Sequence, residues 1–380
     1  MTATDTSAER AERLAALAPD TPEIVVDLPV VRANIARAAR AAAEAGVAVR
    51  PHVKTHKLPQ IARLQLEAGA VGVQVAKLGE AGVMADAGVP DILVGYPIVG
   101  RAKLARLAEI AARARVSVTV DSDAVATGLS DLARDRGLTL PVLIELDTGL
   151  HRLGVLPGKA AVELAERVAR LPGLALAGVF THEGHVYGRA RDDAERQRLT
   201  AEACAAAVAT VEEIRRLGHE APVVSVGSAA TFRFAVRCPG VTEVRPGTYV
   251  FNDLTQIAQG AATWADLAAL VVTTVVARPA PDRIVVDAGS KVLTSDRMIV
   301  PEPVATYGAV LGRPGWTVSR LSEEHGILDV PTGAAVAVGD RLVIVPNHVC
   351  PAINLATAVT VVIDDGAIER WPIAARGLVR

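Results

Sequence analysis

Eight short runs rich in Val, Ile and Leu recur along the first two thirds of this 380-residue sequence, at residues 47–49, 71–75, 92–95, 116–120, 142–145, 176–180, 223–226 and 243–245. Most are separated by stretches whose apolar positions follow a helical period, such as 58–68, 103–114, 160–169 and 202–217. Strand alternating with helix implies parallel strands joined by right-handed crossovers, and eight such units close into an α/β fold of the (β/α)8 TIM-barrel type. An open doubly wound sheet is the competing arrangement. It lacks support because no Gly-x-Gly-x-x-Gly follows the first strand, and a count of eight fits closure better.

After about Phe251 the texture changes to Val-rich segments at 270–276, 284–286, 341–345 and 358–363, punctuated by Pro, Gly and Asp, which predicts a second, C-terminal all-β domain. A chain of this length exceeds what one core organises, so two domains are expected. The boundaries read as an N-terminal segment 1–20, a strand at 21–28 joining the β domain, the barrel at 29–255 and the β domain at 256–380. Residues 23–28 have no place in the count of eight.

A formal charge of -2, from 40 basic and 42 acidic residues scattered along the chain, gives no electrostatic reason to expect nucleic acid or anionic membrane as partner. A small-molecule partner is expected instead. No stretch approaches the roughly 18 to 20 unbroken apolar residues of a membrane span. The polar, mixed-charge start Met-Thr-Ala-Thr-Asp lacks the order of a secretory signal, so the cytoplasm is the expected compartment. Cys204, Cys238 and Cys350 are an odd count without Cys-x-x-Cys spacing, which argues against a disulfide framework and leaves a thiolate ligand possible.

In such a barrel the chemistry sits at the C-terminal ends of the strands. The first run leads into Arg50-Pro51-His52-Val53-Lys54-Thr55-His56-Lys57, where a desolvated lysine could lose its proton and attack a cofactor aldehyde; a solvated basic turn is the alternative. The fifth leads into Glu145-Leu-Asp147-Thr148-Gly149-Leu-His151-Arg152-Leu-Gly154, where Arg152 offers a forked donor, unless this is only a turn with a salt bridge. The sixth ends in Thr181-His182-Glu183-Gly184-His185-Val186-Tyr187, whose clustering of two imidazoles and a phenol favours function.

The seventh and eighth runs lead into Gly227-Ser228-Ala229-Ala230-Thr231 and Arg245-Pro246-Gly247-Thr248-Tyr249. Both suggest phosphate cups, with small residues exposing backbone N–H groups and hydroxyls adding donors. In the β domain, Pro346-Asn347-His348-Val349-Cys350-Pro351 would, if extended, turn His348 and Cys350 to one side as a two-ligand metal clamp; a buried cysteine beside a chance histidine is the alternative.

The order Arg-Pro-His-x-Lys-x-His-Lys, His-Arg-x-Gly and a late His-x-Cys resembles the D-threonine aldolase and D-serine dehydratase family, metal-dependent relatives of alanine racemase. The resemblance runs from Asp20-Thr21-Pro22 through Asp287-Ala288-Gly289-Ser290-Lys291 and Glu324-His325-Gly326 to Ala375-Arg376-Gly377. It implies pyridoxal 5'-phosphate on Lys54, with His52, Arg152 and Tyr187 around the cofactor, and Gly227, Ser228, Gly247 and Tyr249 lining its phosphate site. It further implies a divalent metal (Mn, Zn, Mg or Co) on His348 and Cys350, and a homodimer. Cys350 and the Thr-His-Glu-Gly-His segment lean toward the dehydratases, while His-Val-Cys-Pro-Ala-Ile-Asn-Leu and Glu-Glu-His-Gly lean toward the bacterial aldolases.

The leading reaction implied is retro-aldol cleavage of a D-3-hydroxy amino acid such as D-threonine to glycine and an aldehyde, with His182 or His185 taking the hydroxyl proton. Dehydration of D-serine or D-3-hydroxyaspartate to a 2-oxo acid and ammonia is the close alternative. Racemisation needs no metal, and the non-catalytic pyridoxal-phosphate carriers are lone barrels, so both fit less well.

Overall fold

The computed structural model describes residues 3–380, with side chains from Ser7 onward except Asp365. It comprises two compact units: residues 37–54, 59–247 and 378–380 form one, and residues up to 36, 55–58 and 248–377 form the other.

In chain order the first strands are β1 (Glu23–Asp27), β2 (Ala48–Val49), β3 (Val73–Val75), β4 (Asp91–Val94), β5 (Arg115–Val120), β6 (Leu140–Leu146), β7 (Leu174–Thr181), β8 (Val223–Val226) and β9 (Glu243–Val244). Strands β2 to β9 make one parallel sheet in the order β2-β9-β8-β7-β6-β5-β4-β3. Its ends meet just beyond β2. Val71 N donates to Val49 O at 3.0 Å, Gln74 N donates to Pro51 O at 2.8 Å, and His52 bridges Gln74 in parallel. This is the (β/α)8 barrel that the eight apolar runs predict.

The helices begin and end where orphan backbone groups find partners. Ser122 Oγ accepts from Val125 N to start Asp123–Arg136, and Gly137 at φ 62° ends it. Asp192 caps Asp193–Arg216 in the same way. That helix starts well before residue 202, because the polar run Asp193-Ala-Glu-Arg-Gln-Arg198 hides its period.

Strand alternation sorts the barrel side chains into two sets. Val142, Ile144, Val179 and Val226 face outward and pack with Leu129, Leu164, Val168 and Val211 of the helices. Leu93, Leu143 and Phe180 form a separate interior cluster. The same inward parity gives Gln74, Thr119, Glu145, Ser225, Glu243 and Arg245, all buried and polar. A register shift at Ala177 on β7 brings Gly178 against Val223; its φ of 147° and the nearness of that carbonyl exclude a side chain.

The later strands are β10 (Ala269–Ala280), β11 (Arg283–Val286), β12 (Gly308–Val310), β13 (Thr317–Leu321), β14 (Gly326–Asp329), β15 (Arg341–Pro346), β16 (Ala358–Val362) and β17 (Ile368–Pro372). With β1 they form a sheet ordered β11-β14-β13-β12-β15-β10-β1-β16-β17, and the further β10–β11 pairing closes six of them into a β-barrel. Strand β1 lies antiparallel to β10 and parallel to β16. Strands β12, β13, β14 and β17 carry no apolar run and were not foreseen: each is short, and β17 is largely exposed.

The N-terminal segment is a helix, Ala3–Leu17. Leu14 packs with Val25, Leu270 and Val343, while Arg10 Nε donates to Asp27 Oδ2 at 3.0 Å. Asp287, one of the family-like positions, plays a structural part, accepting from Thr21 Oγ1 (2.7 Å), Thr273 Oγ1 (2.5 Å) and Thr274 N (2.9 Å). No helix among the described residues is long and apolar enough to cross a membrane.

Candidate active site

The basic run after β2 splits into structural and reactive members. Arg50 is clamped between Glu243 (2.8 Å) and Asp91 (2.5 Å); burial opposes its charge, but the two carboxylates outweigh it and hold the pKa above its ordinary value. His56 is fully buried, accepts from Leu58 N at 3.1 Å and meets Phe251 edge-on. Lys57 sits at φ 56°, buried, with Nζ donating to Ala375 O at 3.4 Å. These three are structural. Lys54 and His52 remain, in the turn Val53–Thr55 and just before it, with Lys54 N donating to His52 Nδ1 at 3.4 Å.

Lys54 lies in one electrostatic neighbourhood with His52, His182 and Arg245. Burial first, then the charges of Lys54, Arg245 and the other imidazole, hold His52 well below the ordinary histidine pKa. Burial followed by Lys54, Arg152 and Arg245 lowers His182 to about 3. Both imidazoles are therefore neutral near pH 7. His182 Nδ1 lies 3.4 Å from Gly227 O and, as the only possible donor of that pair, carries the hydrogen, which leaves Nε2 as the basic nitrogen.

Arg245, which the sequence places at the start of a phosphate cup, instead points into the barrel. It donates to Gln74 Oε1 (3.2 Å), Ser225 Oγ (2.7 Å) and Thr181 O (2.5 Å), and its guanidinium lies 3.6 Å over the Phe180 ring. Burial lowers its pKa to about 10 against the opposing pull of Glu243, Glu183 and Glu145. Gln74, Glu243 and this buried arginine were missed as a unit, since the sequence gives only their inward parity.

The turn after β8 is built around Glu183. That buried carboxylate accepts from Gly227 N (3.0 Å) and Thr231 Oγ1 (2.5 Å); Ser228 N and Oγ lie 3.2 and 2.9 Å from Thr231 Oγ1, and Ala230 N donates to Tyr187 Oη at 3.1 Å. The expected cup is thus narrower than the sequence suggests, because three of its N–H groups already have internal acceptors. The N–H groups of Ala229 and Gly247, both in buried residues following the adjacent strands β8 and β9, find no acceptor among the described residues. Tyr249 belongs to the other unit, where its carbonyl accepts from Asn252 Nδ2 at 3.0 Å.

The two histidines of the sixth strand end separate. His185 is buried, its Nδ1 has no hydrogen-bond partner, and its pKa is lowered by burial and then Arg189, with Asp147 opposing. Its charged neighbours are Arg189, Asp147, His151 and Glu202, a set that does not include Lys54. Asp147 fixes the 147–154 loop by accepting from Gly149 N and His151 N, each at 2.9 Å, and lies 3.0 Å from His151 Nδ1. Arg152 is exposed, and its charge reaches His182 and Glu145.

In the β-barrel unit, His348 and Cys350 come together, but not as neighbours on a strand. Strand β15 stops at Pro346, His348 is extended at φ -140°, and Cys350 already lies in the helix Val349–Leu355. Asp253 sets this turn by accepting from Val349 N (3.0 Å) while capping its own helix through Gln256 N (3.0 Å). His348 hydrogen-bonds Cys350, and its Nδ1 lies 2.7 Å from Asp296 Oδ2. Burial pulls the His348 pKa down, but Cys350, Asp253 and Asp296 outweigh it and raise it to about 10. Cys350 Sγ also lies 3.2 Å from Thr55 Oγ1. Asp253 and Asp296 were not singled out from the sequence, being distant acidic residues in unremarked loops.

The donor sets fit the groups that the sequence suggests. Unpaired buried N–H groups at two adjacent strand ends suit a phosphate, and a lysine between neutral imidazoles suits an aldehyde. Among the described residues no cluster of three or more His, Cys, Asp or Glu could enclose a metal ion. The imidazole and thiol would supply two ligands and leave positions for others, and Asp296 is a carboxylate of the kind that commonly orients a ligating histidine.

Comparison with known proteins agrees with this layout. Residues 26–254 match the alanine racemase N-terminal domain model, and residues 268–362 match a putative serine dehydratase domain model. D-threonine aldolase of an Arthrobacter species is 36% identical over 370 residues, 95% of this chain and 94% of that protein. D-threo-3-hydroxyaspartate dehydratase of Delftia sp. HT23 is 36% identical over 368 residues, 93% and 96% of the two. The crystal structure of D-threonine aldolase from Filomicrobium marinum superposes with a TM-score of 0.88 at 36% identity, covering 95% and 97% of the chains. A cysteine-to-alanine variant of the Delftia dehydratase, solved in a metal-free form, superposes with a TM-score of 0.85 at 35% identity, covering 94% and 98%. The chain therefore belongs to the family of pyridoxal-phosphate-dependent lyases that contains D-threonine aldolase and the D-3-hydroxyaspartate and D-serine dehydratases, built on the alanine racemase barrel.

Proposed function

We propose that this lyase cleaves D-3-hydroxy amino acids of the D-threonine type by a retro-aldol reaction to glycine and an aldehyde. The observation that carries the reading is the likeness to D-threonine aldolases, 36% identity over 95% of this chain to one and a TM-score of 0.88 to another, while the His348–Cys350 pair backed by Asp296 would serve cleavage and dehydration alike. Bound pyridoxal phosphate supplies an electron sink for the pair left at Cα, and a divalent ion lowers the pKa of the β-hydroxyl.

This chain's own residues do the rest. Lys54 provides the amine that bonds the cofactor aldehyde. His182, neutral and oriented by Gly227 O, offers Nε2 to the hydroxyl proton and is favoured over His185, whose neighbours are Asp147 and Arg189. Ala229 and Gly247 N–H groups, with Ser228 and Tyr249, receive the phosphate, while His52, Arg152 and Tyr187 surround the ring. His348 and Cys350 hold the metal; imidazole and thiolate donors suit zinc or cobalt better than manganese or magnesium. A homodimer is proposed on the family resemblance.

Dehydration is the second reading, favoured by the equally similar Delftia enzyme. Incubating the protein with D-threonine, pyridoxal phosphate and a divalent ion separates the two. Glycine and acetaldehyde are the expected products; predominant 2-oxobutyrate and ammonia would replace cleavage by dehydration.

A further inference from the structure

We infer that Glu183 is a positioning residue for cofactor binding: through Gly227 and Thr231 it fixes the loop after β8, and thereby sets the affinity for the phosphate of the cofactor. The inference rests on the assignment of pyridoxal phosphate to Lys54. Glu183 is 1% exposed. A buried carboxylate is costly unless hydrogen bonds hold it, and both of its oxygens are engaged by one loop, at 3.0 Å from Gly227 N and 2.5 Å from Thr231 Oγ1.

Counting hydrogens gives the direction of the network. Thr231 has one hydroxyl hydrogen, and it points to Glu183. Thr231 Oγ1 must then accept from both Ser228 N and Ser228 Oγ. Gly227, Ala229 and Ala230 have little or no side chain to pack, so the loop is held by hydrogen bonds: besides those to Glu183, Ala230 N donates to Tyr187 Oη (3.1 Å), His182 Nδ1 to Gly227 O (3.4 Å) and Phe232 N to Ser228 O (3.1 Å). Among these anchors only Glu183 ties both ends of the loop, Gly227 and Thr231, to one side chain, so the aim of the unpaired Ala229 N–H between them depends on it.

The test compares two ligands that differ only in the phosphate. The full chain, freed of cofactor, is titrated with pyridoxal 5'-phosphate and with pyridoxal, following the absorbance of the lysine adduct. Glu183→Gln, which keeps the shape but replaces one acceptor by a donor, is expected to weaken pyridoxal 5'-phosphate about tenfold and pyridoxal less than twofold. Thr231→Val should behave the same way, and Thr231→Ser, which restores the hydroxyl, should return close to the parent affinity. If Glu183→Gln does not fold, the two Thr231 variants still decide. Equal weakening of both ligands, or no weakening of pyridoxal 5'-phosphate, overturns the inference. An unsubstituted protein that forms no adduct with either ligand overturns the Lys54 assignment beneath it.

Discussion

His348 Nδ1 lies 2.7 Å from Asp296 Oδ2, so one ring nitrogen is committed to a carboxylate, and the ring also hydrogen-bonds Cys350. The carboxylate fixes the ring's orientation and strengthens its donor nitrogen. Asp296→Asn should weaken divalent metal binding about ten- to a hundredfold without loss of secondary structure. Competition with a chromophoric chelator measures this, and unchanged affinity would remove Asp296 from the proposed metal site.

The cofactor lysine can be identified covalently. Borohydride reduction of the cofactor-loaded protein, followed by peptide mass spectrometry, should place the pyridoxyl label on Lys54. Lys57 should stay unlabelled, because it is buried with its Nζ on Ala375 O. Label at any other lysine would refute the assignment.

The lowered His182 pKa has a consequence for stability. Its value is about 3 in the folded chain, against about 6.5 when unfolded. Between these limits the unfolded state binds more protons, so stability falls as pH falls, by up to about 1.4 kcal/mol per pH unit from this residue. Urea melts of the parent and His182→Gln at pH 7 and pH 5 should show a shallower pH dependence in the variant. Identical slopes would mean that His182 titrates normally.

Gly178 offers a steric test of the barrel. A Cβ there would run into the Val223 carbonyl, and φ is 147°. Gly178→Ala should cost at least about 2 kcal/mol of stability, combining backbone strain with overpacking. Chemical denaturation reads this directly, and a neutral result would mean that the β7–β8 register differs from the one described.

The parallel barrel was legible because its outward-facing Val and Ile residues are repeated in eight blocks, and repetition survives errors of a residue or two at each end. Strands β12, β13, β14 and β17 were not, since short antiparallel strands with exposed faces leave little apolar pattern. Among site residues, Lys54, His182, His348 and Cys350 stood out by chemical type. Glu183 was visible in its motif but with no evident role, and Asp253 and Asp296 gave no local signal.

By itself the sequence determined the eightfold strand and helix alternation, the change to an all-β texture and the reactive residues at strand ends, since these follow from periodicity and side-chain chemistry within a few residues. Only the tertiary structure decided that His182 rather than His185 shares the surroundings of Lys54, that Arg245 turns into the barrel, and that His348 and Cys350 meet across a strand-to-helix turn held by Asp253 and Asp296. Each of those depends on distances between residues far apart in the chain and on burial that shifts charge, neither of which has a local signature.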